Sequence, residues 1–275
     1  GKKGQAVTFP AGYDEVYLSD VGIFEMTEPF SAGAWIYTSE NDPEKTQVIV
    51  GNAGEKNNFW RGWDFYLDES NRVAARLIHS LPHNYIHNRS EESIPLNTWT
   101  HVAFTYDGSG KAAGIQLFIN GLMAKNEIAF DNLYKSIHPV KSGNHELNDT
   151  PLRVGKSYRS FTGESGFFKG KLDELMIFDR QITPLEIQWI ADIGEEKADD
   201  KLFEAYKIAQ QSPVKKREKK LQQLRTERLE LMNLIMEVMV MEETPKNRPM
   251  HVLNRGVYDQ PKHTVEMATP SKVLA

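Results

Sequence analysis

The 275-residue chain has no cysteine, which excludes disulfides, thiolate catalysis and thiolate zinc sites while leaving the redox compartment open. No stretch approaches the roughly 20 apolar residues that a membrane-spanning helix needs. The first residues, Gly1-Lys2-Lys3-Gly4-Gln5, lack the apolar centre of a signal peptide. Gly1 in place of Met implies a processed end or a portion of a longer protein. Positive charge is not in excess either. The chain carries 33 Lys and Arg against 38 Asp and Glu, a formal net charge of -5, which gives no general attraction to nucleic acid or to an anionic membrane. The length suits one large β-sandwich with an appendage, or two ordinary domains.

Up to about Phe178 the chain reads as short strands separated by turn chemistry. Val102, Phe104 and Tyr106 alternate with His101, Ala103 and Thr105, and Ile115, Leu117 and Ile119 alternate with Gln116, Phe118 and Asn120. These are two strands with one apolar face each. Asn120-Gly121 follows, the pair that most readily takes the positive φ angles of a type I′ hairpin turn, so a third strand starts near Leu122. Further strands are expected at Ala6 to Phe9, Phe30 to Tyr37, Gln47 to Val50, Trp63 to Leu67, Arg72 to Ile78, Leu152 to Val154 and Leu172 to Phe178. So many strands without intervening helices imply antiparallel pairing.

The period then changes. Thr183-Pro184-Leu185-Glu186 is a capping box with Pro at the first helical position, and Gly194 is a stop signal. A helix is expected from about Glu195 to Gln211, and Ser212-Pro213 opens a longer one. In the longer helix Leu221, Leu224, Leu231, Ile235 and Val238 occupy heptad a and d positions, interrupted by Arg228. Such a seam pairs with Leu202, Tyr206 and Ala209 in an antiparallel hairpin, or with a second copy in a homodimeric coiled coil. Beyond Glu243, Pro245, Pro249, Pro261 and Pro270 predict an extended tail. The chain thus divides into a sandwich over 1–194, a helical hairpin or coiled coil over 195–243, and over 244–275 a tail that begins a following domain.

Four segments in this order resemble the laminin-G-like, concanavalin A-like jelly-roll family: residues 98–108 (Thr98-Trp99 to Asp107-Gly108), 117–121 (Leu117 to Gly121), 170–178 (Gly170 to Phe178) and 182–187 (Ile182 to Ile187). The resemblance covers roughly residues 5 to 193. It implies an all-β sandwich of two curved antiparallel sheets, binding of sugars or proteins, and a structural calcium. Residues 238–243 and 248–259 resemble a junction in large secreted planctomycete-type bacterial proteins. Those proteins combine a cytochrome c-like haem domain with domains of unknown function, and some carry an inserted jelly roll. No haem-attachment motif exists here, because there is no cysteine. The resemblance therefore implies the middle portion of a larger, extracytoplasmic protein whose other domains are partners of this one.

Glycoside hydrolases of this fold class set carboxylates as Glu-x-Asp-x-x-Glu on one strand, a spacing absent here. Glu40, Asp42 and Glu44 surround Pro43 in a loop, and Asp64 with Asp68 lacks a third carboxylate. The reading is therefore non-catalytic. His79, His83 and His87 recur every four residues, but Pro82 and the strand-like Arg72 to Ile78 deny them a helix, so they read as hydrogen-bonding loop or strand-end residues. Alternation places Asp173 on the same side as Leu175 and Ile177, where an unpaired carboxylate is costly. Calcium would neutralise it, as would backbone N–H groups alone. For a ligand, the segments Asn57 to Trp63 and His83 to Arg89 combine aromatic rings with planar polar groups, the mixture a sugar site needs. The candidate ligand-binding residues are Trp60, Arg61, Trp63, His83, Asn84, Tyr85 and His87. The basic run Lys215 to Lys220 reads as a solvated helix turn. Together these predict a non-catalytic carbohydrate-binding or adhesion module for polysaccharide. The alternative is an architectural domain that docks on its own polypeptide.

Overall fold

Alternation at the strand period decides the architecture. In β5 (Gly62–Leu67), Trp63, Phe65 and Leu67 enter the core while Asp64 and Tyr66 point away from it, and β6 (Arg72–Ser80) buries Val73, Ala75 and Leu77 in the same core. The computed structural model describes the chain except residues 11–15, 19–20, 40–45, 55–59, 139–151, 158–165, 193–199, 237, 239–249, 256 and 266–275. The remaining strands of its first unit are β1 (Val7–Phe9), β2 (Val16–Leu18), β3 (Phe30–Thr38), β4 (Gln47–Gly51), β7 (Asn84–Ser93), β8 (Trp99–Tyr106), β9 (Ile115–Ile119), β10 (Leu122–Met123), β11 (Asn126–Asn132), β12 (Leu152–Val154), β13 (Gly166–Phe167) and β14 (Gly170–Phe178). They form a six-stranded sheet, ordered β1-β14-β3-β8-β9-β10, and an eight-stranded sheet, ordered β11-β7-β6-β5-β4-β12-β2 with β13 on β4. Pairing is antiparallel except for β13 with β4.

An aromatic cluster joins the sheets. Phe30 of β3 and Phe104 of β8 meet Trp63 at ring-centroid distances of 5.3 and 5.8 Å, and Phe65 lies 5.0 Å from Phe104. Each such buried ring contributes about 1.5–3 kcal/mol by leaving water. Tyr106 adds a polar tie, donating to the Met26 carbonyl at 2.5 Å and accepting from Gly110 N–H at 2.6 Å. Burial holds its phenol pKa far above the ordinary value. Gly108 in the same turn has φ of 73°, and a Cβ there would meet the Thr27 carbonyl oxygen at 2.6 Å, so the turn closes only with glycine. The Asn120-Gly121 hairpin forms as predicted, with φ of 48° and 77°.

Two long strands, β7 and β11, go beyond the sequence reading. In β7 the inward positions include Asn84 and Asn88, which hides the apolar alternation. Asn88 Nδ2 donates to the Ile115 carbonyl at 2.8 Å, and Asn84 Oδ1 accepts from Tyr134 N–H at 3.1 Å. These bonds let asparagine occupy core-facing sites.

Helix α1 (Pro184–Ile190) carries the predicted capping box, with Thr183 and Glu186 bonded reciprocally. It lies on the outer face of the six-stranded sheet, where Ile182 and Ile187 pack on Ala103 and Phe118. Opposite Ala103 stands Gly33, where a Cβ would come within 2.9 Å of the alanine Cβ. Helices α2 (Asp200–Ala209) and α3 (Ser212–Leu234) follow; Gly194 lies outside the described residues. The predicted hairpin seam is not how α3 packs. Tyr206 of α2 meets Trp189 of α1 at 5.7 Å, while Leu221, Leu224, Leu231 and Ile235 are exposed. The sandwich instead takes the face carrying Arg225, Thr226 and Leu229. Arg225 donates to the Asp107 carbonyl at 2.7 Å, Thr226 meets Thr27 at 3.3 Å, and Leu229 enters the main core. That face wins because it offers both an apolar plug and donors for a turn carbonyl at helical spacing.

The chain divides into Gly1–Ile235 and Met236–Ala275. Within the second unit the tail forms a hairpin instead of the expected extended segment: β15 (Met250–Asn254) pairs antiparallel with β16 (Val257–Val265). The register slips beside Pro261, which has no N–H for the ladder.

Leu229→Ala is expected to destabilise the first unit by about 2–5 kcal/mol, whereas Leu224→Ala on the exposed face should shift it by under about 0.5 kcal/mol. Urea denaturation of both variants checks this, and equal effects would contradict the docking of α3.

Candidate functional site

The eight-stranded sheet carries a row of polar and aromatic side chains across its outer face. Register sets Tyr17 opposite Arg153, Arg153 opposite Gly51, Gly51 opposite Asp64, Asp64 opposite Arg76, Arg76 opposite His87, and His87 opposite Phe130. Arg76 Nη2 donates to Asp64 Oδ2 at 3.2 Å, and its guanidinium lies 4.3 Å from the centre of the Tyr66 ring. The Tyr66 hydroxyl and His87 Nε2 are 2.8 Å apart. At the other end Arg153 stands over the Tyr17 ring at 4.5 Å and donates to its hydroxyl at 3.1 Å. Gly51 is needed in the middle, because Asp64 Oδ1 lies 2.5 Å from where a Cβ would sit. Asp64 is wholly buried and Arg76 nearly so. Burial disfavours the guanidinium charge, but Tyr66 and Asp64 outweigh it and hold the Arg76 pKa above its ordinary value. Asp64 Oδ1 and Arg76 Nε have no hydrogen-bond partner among the described residues. Beside the row, Arg89 grips Glu127 with two bonds of 2.9 and 2.6 Å, tying β7 to β11.

The predicted binding residues separate. Tyr85 and His87 share the outer face of β7; Tyr85 stacks on Phe130 at 4.2 Å and packs with Trp60 and Ile78. Arg61 donates to the His79 carbonyl at 3.2 Å. His83 is exposed in the turn between β6 and β7. Trp63 and Asn84 are corrected, because strand alternation turns both into the core: Trp63 is fully buried with Nε1 donating to the Gly22 carbonyl at 2.8 Å. The histidines at four-residue spacing fall on a strand, a turn and the next strand, as their flanking residues implied. The residues missed were Tyr17, Asp64, Tyr66, Arg76 and Arg153. Their signal was present as an arginine inside the apolar run Val73 to Ile78, and as Asp64 and Tyr66 alternating with core aromatics. Asp68 is committed to its own turn, accepting from Ser70 N–H and Arg72 N–H at 2.9 Å each. Glu40, Asp42, Glu44, Asn57, Asn58 and Phe59 lie outside the described residues.

The family described as the concanavalin A-like lectin/glucanases superfamily, in its laminin-G-like branch, matches residues 10–188. The chain belongs to this superfamily. Among curated protein sequences none matches significantly. The CBM40 domain of the Ruminococcus gnavus IT-sialidase has the same fold. Its structure without a named ligand is 15% identical with a TM-score of 0.52, and its structure bound to alpha2,3 sialyllactose is 14% identical with a TM-score of 0.51; each match covers 68% of this chain and 97% of that domain. Domain 4 of the extracellular arabinanase AbnA from Geobacillus stearothermophilus, in complex with arabinotriose, is 20% identical with a TM-score of 0.48, covering 70% of this chain and 79% of that one.

The opposite outer face of this superfamily member, on the six-stranded sheet, carries Asp173. The expected inward orientation is corrected: a bulge with Glu174 at φ of 49° breaks the alternation, so Leu172 faces the core and Asp173 faces out. Its Oδ2 accepts from Lys3 N–H at 2.8 Å and its Oδ1 from Glu174 N–H at 2.9 Å. Both oxygens of Asp173 face N–H donors, so the backbone supplies the neutralisation for which calcium was the alternative. Any effect of calcium on the melting temperature is therefore expected to be the same in Asp173→Asn as in the wild type, the substitution itself costing about 2 kcal/mol. A chelator-reversible rise present in the wild type and lost in Asp173→Asn would contradict this.

Opposite Asp173 stands Trp35, and beyond it His101. His101 is fully buried; burial first, and Lys3 second, lower its pKa from 6.5 to about 4. The unfolded chain therefore binds a proton between pH 6.5 and about 4 that the folded protein does not. Stability from this group is complete above pH 6.5 and is lost as the pH falls towards 4, on the order of 3 kcal/mol in all. In His101→Leu, denaturation midpoints should be flatter across that window than in the wild type.

Proposed function

We propose that the chain is a non-catalytic carbohydrate-binding module of an exported multidomain protein, and that it holds polysaccharide on the outer face of the eight-stranded sheet. The observation that carries the reading is the row Tyr66, Asp64, Arg76 and His87. It sets buried polar atoms whose capacity is not filled among the described residues, Asp64 Oδ1 and Arg76 Nε, beside the part-exposed rings of His87 and Tyr85. A sugar ring presents a C–H face to an aromatic ring and hydroxyls that both donate and accept, so it complements a carboxylate oxygen beside a guanidinium N–H. Tyr85, Trp60 and Arg61 extend the same end of the face. Family membership supports the reading, and so does the CBM40 fold, whose structure was determined with a sialylated sugar.

The second reading, an architectural domain docking on other parts of its polypeptide or on a second copy, is favoured by one feature. Leu221, Leu224 and Leu231 form an exposed apolar row on α3, next to a groove of about 920 Å³ lined in part by Tyr206, Ala209 and Leu221. A glycan array followed by affinity electrophoresis on plant and algal polysaccharides separates the two. Binding is expected, and His87→Ala and Tyr85→Ala, both at part-exposed positions, should each weaken it about tenfold, or about 1.4 kcal/mol. No retention on any polysaccharide would favour the architectural reading.

A further inference from the structure

We propose that the outer face of the six-stranded sheet is a second saccharide site, built on Trp35 and His101 and covered by residues 1–3. It lies across the core from the row on the eight-stranded sheet and does not depend on that row binding sugar.

Three buried ring atoms on this face, Trp35 Nε1 and both ring nitrogens of His101, lack a hydrogen-bond partner among the described residues. The two rings meet edge to face at 5.5 Å, so the unmet atoms belong to one patch. The cover is the first few residues of the chain. Lys2 Nζ stands 4.3 Å from the centre of the Trp35 ring, Lys3 N–H donates to Asp173 Oδ2 at 2.8 Å, and a Cβ on Gly1 would lie 2.4 Å from that same oxygen. Lys2 thus lies on the Trp35 ring and Lys3 on Asp173, and neither offers the three ring atoms a hydrogen bond. A cover of that kind is less favourable than solvent at each atom, and it is held chiefly by one charge-assisted hydrogen bond and one cation–π contact.

The inventory of unmet groups selects the ligand chemistry. Trp35 Nε1 is a donor only, and neutral His101 supplies one donor and one acceptor. Burial keeps His101 neutral through the ordinary pH range. An anion would meet the donors but would sit beside the Asp173 carboxylate and leave the acceptor unmet. A cation would meet the acceptor and the carboxylate but neither donor. Vicinal hydroxyls, which both donate and accept, satisfy all three atoms and can replace the Lys3 N–H at Asp173. The face of Trp35 now under Lys2 is the surface on which the apolar side of a sugar ring would stack. Tyr37 and Trp99, half-buried and 5.8 Å apart, continue this aromatic surface two residue pairs further along β3 and β8.

The test uses the full chain with ¹⁵N-labelled tryptophan, titrated with four neutral probes, cellotriose, xylotriose, mannotriose and arabinotriose, while the Trp35 indole N–H signal is followed by NMR. At least one probe is expected to move it. Lys3→Pro removes the N–H that pins the cover, and because apparent affinity scales with the fraction of uncovered protein, it should tighten binding about tenfold. His101→Leu should abolish the response, and the Trp63 indole signal in the core reports that each variant is folded. Failure of all four probes to move Trp35 in Lys3→Pro, or unchanged affinity in His101→Leu, would overturn the proposal. Movement of the Trp60 signal beside the eight-stranded sheet without any movement of Trp35 would likewise overturn it and leave the first saccharide site standing, whereas a Trp35 response that survives His87→Ala supports it independently of that site.

Discussion

The phase of β5 is set by Trp63, and much of the molecule follows from it. The indole is fully buried between Phe30 and Phe104, its Nε1 donates to the Gly22 carbonyl, and its backbone N–H donates to Asn52 Oδ1. With both apolar and polar demands met on the inside, the strand cannot shift by one residue without expelling Trp63, Phe65 and Leu67 together. Asp64 and Tyr66 are therefore forced outward, and antiparallel register carries the same phase to Arg76 on β6 and His87 on β7. The row on the outer face is a geometric consequence of the core.

That consequence has a cost which the fold does not require. A buried Asp–Arg pair is often no more stabilising than apolar residues of similar volume, because both charges lose water. Ala74 and Val48, which flank Tyr66 on the same face, show that apolar residues are accommodated there. Stability thus does not account for Asp64 and Arg76, nor for the glycine at position 51 that makes room for the carboxylate. Recognition of a polar ligand, the role proposed for this face, would account for them.

How much of this could be read from the chain depended on how visibly each element paired pattern with chemistry. The strands at Phe30, Trp63, Val102 and Ile115, the Asn120-Gly121 turn and the Thr183 capping box announce themselves through alternation or fixed spacing, and they form as expected. β7 does not, because asparagines at inward positions are tolerable only once Ile115 and Tyr134 supply their partners, a long-range fact. The candidate site suffered similarly. Local aromatic density pointed to Trp63, which the core claims, while Tyr17, Arg153 and Arg76 are brought together only by register. Asp173 is turned outward by a single residue of backbone, the Glu174 bulge, which inverts the side counted for it while Leu175 and Ile177 keep theirs. On α3 the leucines looked like the packing face, yet Thr226 and Arg225 had specific acceptors waiting on the sandwich, and the helix turned towards them.

Unmet polar atoms occur on both sides of the sheets, Asn84 Nδ2 and Asn88 Oδ1 inside and Asp64 Oδ1, Arg76 Nε and the His101 nitrogens outside, but the extent of the deficit differs. Polar side chains that point between the sheets each make at least one firm bond: Asn52 to Gly22 and Trp63, Asn88 to Ile115, Asn84 to Tyr134, and Tyr106 to Met26 and Gly110. On the outer faces Asp64 and Arg76 satisfy only part of their capacity with each other, and His101 makes no side-chain bond at all among the described residues. Inside, Asn84 and Asn88 each offset an unmet amide atom with a bond through the other one, whereas Trp35 Nε1 and both His101 nitrogens have no bond at all among the described residues. A complete deficit of that kind beside an aromatic ring is the pattern that recognition of a hydroxylated ring would produce.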